Sequence, residues 1–243
     1  MTENTSPEAE RIDSRFPEVP AIEAAYRAAH RALEGVIPGG PGNFVHEDGL
    51  DVTEVISQFP YMVEQAEMAV AGQVGPSIAW SGERQERSWN LIVAGADLDN
   101  PGEHDFGADL DRSALEGPSG AWHGSSLDQA ARAYRRAAGW DFAPGESGVW
   151  LLMLAPVTAV GGSSDEPWSY NGHLTGFVIL YDRDEDGEYE AVSQIWTAAA
   201  WRRRGIALRL LQEASSRFGA RNVERPYTKD GQALVRAFQE NSG

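Results

Sequence analysis

The sequence predicts an α/β (α+β) fold, a mixed and largely antiparallel sheet with helices on both faces. Three observations predict it. Past Gly148, three runs rich in β-branched, aromatic and leucine residues succeed one another: VWLLMLAPVTAV, HLTGFVILYD and EAVSQIWTA. An amphipathic helix follows them, with Ile206, Leu210, Leu211, Ala214 and Phe218 on one face at helical spacing. The first run is apolar on both faces, so both faces of that strand need a cover.

Residues 1–20 read as a flexible acidic tail. PAIEAAYRAAHRALEGV sets Ile22, Ala25, Tyr26, Ala29 and Leu33 at helical spacing and stops at Gly35, with Pro38 beyond. LDVTEVISQFPYMVEQAEMAVAG is a second helical region, broken near Pro60. SWNLIVAG reads as a short strand. From Ala96 to Gly124, Asp, Gly and Pro dominate a long acidic loop. SLDQAARAYRRAAGW reads as a helix capped by Ser125 or Ser126 and stopped by Gly139. DRDEDGEY is a turn, Gly219 ends the amphipathic helix, NVERPYT is extended, and DGQALVRAFQE is a last helix. The predicted organisation is a tail (1–20), a divergent N-terminal half (21–147) of helices, one strand and an acidic loop, and a core (148–243). SWNLIVAG and the helix from Ser126 to Ala138 are the expected cover of the central strand.

Composition excludes several functions. The chain has 243 residues, 42% hydrophobic residues and eight Trp, enough for a packed core. It has no Cys, which removes disulfides, thiolate metal sites and a Cys nucleophile. The opening MTENTSPEAE lacks the basic-then-apolar order of a secretion signal, so a cytoplasmic protein is expected. The longest apolar run, Val149 to Val160, is too short to span a bilayer. The formal net charge is −17 and is unevenly spread: residues 1–147 hold 25 acidic and 10 basic side chains, residues 148–243 hold 12 and 10. Such a surface repels phosphate backbones and favours cationic ligands. Neither nucleic acid nor membrane is expected as a partner.

Against that charge stands AAWRRRGIALRLL, Ala199 to Leu211. A helix begins with unpaired N–H groups and a positive dipole end. Arg202, Arg203 and Arg204 add repulsion there unless an anion lies among them. The pattern Arg-x-x-Gly-x-Ala fits such an anion: Gly205 admits close approach to the backbone and Ala207 keeps the first turn uncrowded. It is neither a Walker A loop nor Gly-x-Gly-x-x-Gly.

QIWTAAAWRRRGIALRLLQEA resembles the acetyl-CoA-binding segment of the GCN5-related N-acetyltransferases (GNAT), most strongly over Ser193 to Ala214. The resemblance implies a GNAT-like sheet. It implies acetyl-CoA as co-substrate, with no metal. The cofactor's pyrophosphate would lie on Arg202, Arg203, Arg204, Gly205, Ile206, Ala207 and Leu208. Its pantetheine arm would lie along Ile195, Trp196 and Thr197, with a backbone N–H near Trp196 or Thr197 as oxyanion donor. Relatives often carry a Glu on the strand before the loop as general base. Ser193 stands in that column here, and Glu190, three residues earlier, is the candidate base. Relatives often carry a Tyr in the last helix as general acid. Ala237-Phe238 stand there, and Tyr227 is the candidate substitute.

The function expected is acetyl transfer from acetyl-CoA to a primary amine of a cationic small molecule or peptide; the reading allows a homodimer. The acidic loop, with Asp97, Asp99, Glu103, Asp105, Asp109, Asp111 and Glu116, is the expected attractor of that amine. The alternative is an inactive GNAT-fold module that binds acyl-CoA or a basic protein. Asp182 to Gly187 matches the first half of a calcium loop, but the twelfth position is Ser193 and strands flank it, so a hairpin turn is expected. Glu103-His104-Asp105 and His46-Glu47-Asp48 lack a second His at helical spacing and read as solvated loops. Trp80, Trp89, Trp122 and Trp140 read as core, with a cleft as the alternative.

Overall fold

A computed structural model of the chain describes residues 9–11, 68, 70–83, 91–100, 107–161, 166–184, 186, 188–189 and 191–241. In chain order these form β1 (Ala9–Arg11), β2 (Ser77–Gly82), β3 (Ile92–Asp97), β4 (Asp109–Leu110), α1 (Ser126–Ala138), β5 (Val149–Val160), β6 (Trp168–Leu180), β7 (Ala191–Thr197), α2 (Ile206–Phe218), β8 (Asn222–Val223) and α3 (Lys229–Asn241). Residues 70–74 are helical as well. The predicted helix at 21–35 and most of the one at 50–72 lie outside the described residues.

The run that is apolar on both faces, β5, is the spine of the sheet. One edge pairs with β3 (Ile92↔Leu154 to Asp97↔Val149) and β1, the other with β6, all antiparallel. The far edge of β6 is shared. Its first half pairs with β2 (Ser77↔His173 to Gly82↔Trp168) and its second half with β7 (Gly176↔Thr197 to Leu180↔Val192). β7 then pairs with β8 in parallel over two residues, Ala191↔Asn222 and Val192↔Val223. The sheet is therefore mixed and mostly antiparallel, with helices on both faces. Phe177 on β6 meets Tyr134 of α1 (ring centroids 6.0 Å apart). A Cβ built on its neighbour Gly176, which points the other way, would stand 3.0 Å from Ile206 of α2.

The cover differs from the sequence expectation in one respect. The helix Ser126–Ala138 does lie over one face, whereas β3 extends the sheet as an edge partner of β5 instead of covering it. One strand was expected before residue 148; β2, β3 and β4 lie there, and β1 lies in the segment read as a tail. These strands are only two to six residues long; β1, β2 and β3 are held by pairing with the long strands β5 and β6, and β4 by pairing with β2. Local pattern does not carry that information.

The core follows the spine. Trp150, Leu151, Leu152, Met153, Leu154, Phe177, Val178, Ile179 and Leu180 are fully buried. Phe177 lies at its centre, with Trp150 at 4.7 Å, Trp196 at 5.6 Å and Tyr134 at 6.0 Å between ring centroids. Trp80 stacks on Tyr170, Trp122 packs edge-on against Trp150, and Trp140 packs against Tyr134. These three tryptophans are packing residues; Trp89 lies outside the described residues.

Candidate functional site: a forked strand edge beside an uncapped helix

β7 and β8 part after a two-residue contact. The last bond between them runs from the Glu224 N–H to the Val192 carbonyl, 2.9 Å. Past that point the edge of β7 that faces β8 has no strand partner among the described residues. The direction of each backbone group follows from the ladder. Ala198 N–H donates to Thr175 O (2.9 Å), in register with Phe177↔Trp196. Alternation then turns the N–H of Trp196 toward β6, and the N–H groups of Ile195 and Thr197 outward into the fork. A bulge between Ile179 and Leu180 resets this alternation, so Val192 also faces β8. Of the two positions offered for an oxyanion donor, Thr197 has its N–H on the open edge, whereas Trp196 spends its own on the sheet. The Trp196 side chain is buried against Phe177.

At the end of β7 the chain makes a 3₁₀ turn, Ala199–Trp201, and then the arginine loop. Gly205 takes a left-handed conformation (φ 79°, ψ 1°) and starts α2 without any side-chain cap. The N–H groups of Ile206, Ala207 and Leu208 thus head the helix with no side chain bonded to them. A Cβ on Gly205 would meet nothing within 4 Å among the described residues. Arg203 is the one non-glycine residue of positive φ (61°) among the described residues. Left-handed backbone costs roughly 1–2 kcal/mol at such a residue. Arg202, Arg203 and Arg204 are exposed, and Arg202 Nε donates to Thr197 O at 3.2 Å. Thr197 Oγ1 is buried without a hydrogen-bond partner among the described residues, at the foot of the same helix. Bare helical N–H groups, guanidinium groups and an open strand edge fit an extended ligand with an anionic end.

The first half of the chain props this loop. Trp201, fully buried, donates its indole N–H to Val74 O (3.1 Å), and Arg204 lies over its ring at 5.8 Å. His173 Nδ1 bonds Gly75 O at 2.9 Å, and Leu174 N–H bonds Pro76 O at 3.0 Å. Burial lowers the pKa of His173. It is therefore a neutral donor at neutral pH, its N–H pinning the start of β2.

The other candidates are scattered. Tyr227 is half-buried and its hydroxyl donates back to Val223 O at 2.7 Å. Glu190 lies outside the described residues. Of the acidic loop, Asp97 accepts from the N–H groups of Asp99 and Asn100, Asp99 accepts from Gly148 N–H, Asp111 caps a 3₁₀ turn, and Glu116 pairs with Arg112. Those carboxylates have local structural work. Glu103 and Asp105 lie outside the described residues. Asp182, Asp184 and Asp186 each bring an oxygen within 4.8 Å of the others on the turn after β6. Asp182 and Asp186 accept the N–H groups of Asp186 and Glu188, which is turn chemistry.

Sequence reasoning missed Glu224 and Arg183 at the fork. Ser193 Oγ donates to Glu224 Oε2 at 2.6 Å, and Arg183 Nη2 reaches the same oxygen at 2.7 Å. On the α1 side, the Tyr134 hydroxyl donates to Gln194 Oε1. Burial raises the Tyr134 phenol's pKa, so it keeps its proton as a donor.

Residues 128–243 match the model of the Acetyltransferase (GNAT) family, a segment that runs from α1 to the end of the chain. That match over a segment supports an acyl-CoA-dependent acetyltransferase in general. No curated protein matches the sequence. Among the described residues, no helix is long and apolar enough to cross a membrane.

Proposed function

We propose that the protein transfers the acetyl group of acetyl-CoA to a primary amine of a cationic small molecule or peptide. The observation that carries this reading is the pairing of two open features: the uncapped start of α2 at Gly205 and the outward edge of β7 that leads to it. The pyrophosphate would rest on the N–H groups of Ile206 to Leu208, with Arg202 to Arg204 around it. The pantetheine amides would bond the edge at Ile195 and Thr197. Bound there, acetyl-CoA would supply a thioester carbonyl beside that edge, where an outward N–H could stabilise negative charge on its oxygen.

The charge of the chain supports a cationic acceptor. Asp97, Asp99, Asp111 and Glu116 are engaged locally, and the attraction is that of the chain's net charge of −17, screened beyond a Debye length. The test is thiol release from acetyl-CoA against a panel of amines, with thermal stabilisation by coenzyme A measured in parallel. Stabilisation together with release to a cationic amine is expected. Neither effect from coenzyme A or acetyl-CoA would refute the reading.

A further inference from the structure

We infer, on the acetyltransferase reading above, that the Glu224 carboxylate holds the acceptor's ammonium at the fork and takes its proton. Amines arrive protonated at neutral pH, so attack on a thioester needs a proton acceptor beside the reacting carbonyl. The carbonyl is confined to the open edge of β7. Glu224 stands where that edge opens: its N–H makes the last bond between the parting strands, and its carboxylate bonds Ser193 on the facing strand. Among the described residues it is the carboxylate tied to both arms of the fork. Its side chain is 29% exposed, reachable from solvent yet held. The cation on it, Arg183, is 67% exposed and comes from a surface turn, so an incoming ammonium can take over that contact.

The surroundings suit the role. Ser193 fixes one carboxylate oxygen from β7, and Arg183 approaches from the turn after β6. The Tyr181 phenol, its pKa raised chiefly by burial, feels both Glu224 and Arg183 and also Asp99. Arg225, next in the chain, lies over the Tyr227 ring. The step balances without another reactant. Glu224 takes one ammonium proton, and the freed nitrogen pair forms the C–N bond. The C–S bond breaks and its electrons leave on sulfur. A second proton from the nitrogen goes to that sulfur, giving the amide and free thiol. Glu224 returns its proton to solvent.

The experiment compares wild type, Glu224→Gln and Glu224→Asp. Each is assayed for thiol release from acetyl-CoA with spermidine and with water as acceptor across pH, and for thermal stabilisation by coenzyme A. The Gln variant is expected to melt like wild type, bind coenzyme A equally and lose about 100-fold in kcat. The loss should shrink as pH rises and more of the amine arrives already deprotonated, and Asp should recover part of it. If Glu224→Gln binds coenzyme A and matches wild type at every pH, the assignment of Glu224 falls alone. Loss of coenzyme A binding along with rate makes Glu224 structural and also overturns it. A wild type that coenzyme A does not stabilise and that releases no thiol to these acceptors or to any amine of the panel removes the acetyltransferase reading and this role with it.

Discussion

α1 and α2 are both thirteen-residue helices, and each ends at a glycine in the left-handed conformation, Gly139 at φ 70° and Gly219 at φ 71°. Their starts are opposite. At α1, Ser125 Oγ accepts the N–H of Asp128, and Asp128 supplies negative charge in the first turn while its carboxylate takes the Gly124 N–H. At α2 there is a glycine, no cap, no acidic residue in the first turn and three arginines before it. A chain that can cap a helix fully leaves one start bare. The bare one lies at the end of the strand whose edge is open. A cap and a bound anion compete for the same N–H groups, so of the two starts the one at α2 is free to take an anion.

The sharpest way to break this contrast is to put a carboxylate where the anion belongs. Gly205→Glu should lower coenzyme A affinity by about 100-fold or more, since like charge at a binding contact costs several kcal/mol. Calorimetry reads it, and an affinity equal to wild type would show that the start of α2 is not the site. A smaller effect is expected from charge alone. Changing Arg202, Arg203 and Arg204 together to Gln should weaken binding roughly tenfold at low salt, because each exposed pair contributes modestly. Repeating the titration at high salt should shrink the difference between variant and wild type. The smallest effect belongs to α1. Ser125→Ala should cost about 1 kcal/mol of stability, seen as a melting point lower by roughly 2–4 °C. Its affinity for coenzyme A should be unchanged. A loss of affinity there would mean that the two helix starts are coupled.

What could be read from the sequence is what is local. Gly205 and the arginines are contiguous, and their chemistry depends on a strand before and a helix after, both of which periodicity reveals. The cap at Ser125 and the stop at Gly139 are legible for the same reason, as is the spine Val149–Val160. Glu224 was not legible. It meets Ser193 across 31 positions, through a two-residue parallel contact that leaves no periodic trace. Ser193 alone reads as a substitution in the acid's column; only the pairing of β7 with β8 brings the Glu224 carboxylate beside it. The same holds for β2, whose six residues read as strand only once the first half of β6 lies beside them.

The bond from the Trp201 indole to the Val74 carbonyl spans 127 positions. Contacts so distant in sequence form late, because the chain pays the entropy of closing a long loop before the contact repays it. On the ribosome the segment around Val74 emerges well before Trp201 and waits for it. The shape of the arginine loop therefore leans on a contact that the chain can make only once it has been built as far as Trp201.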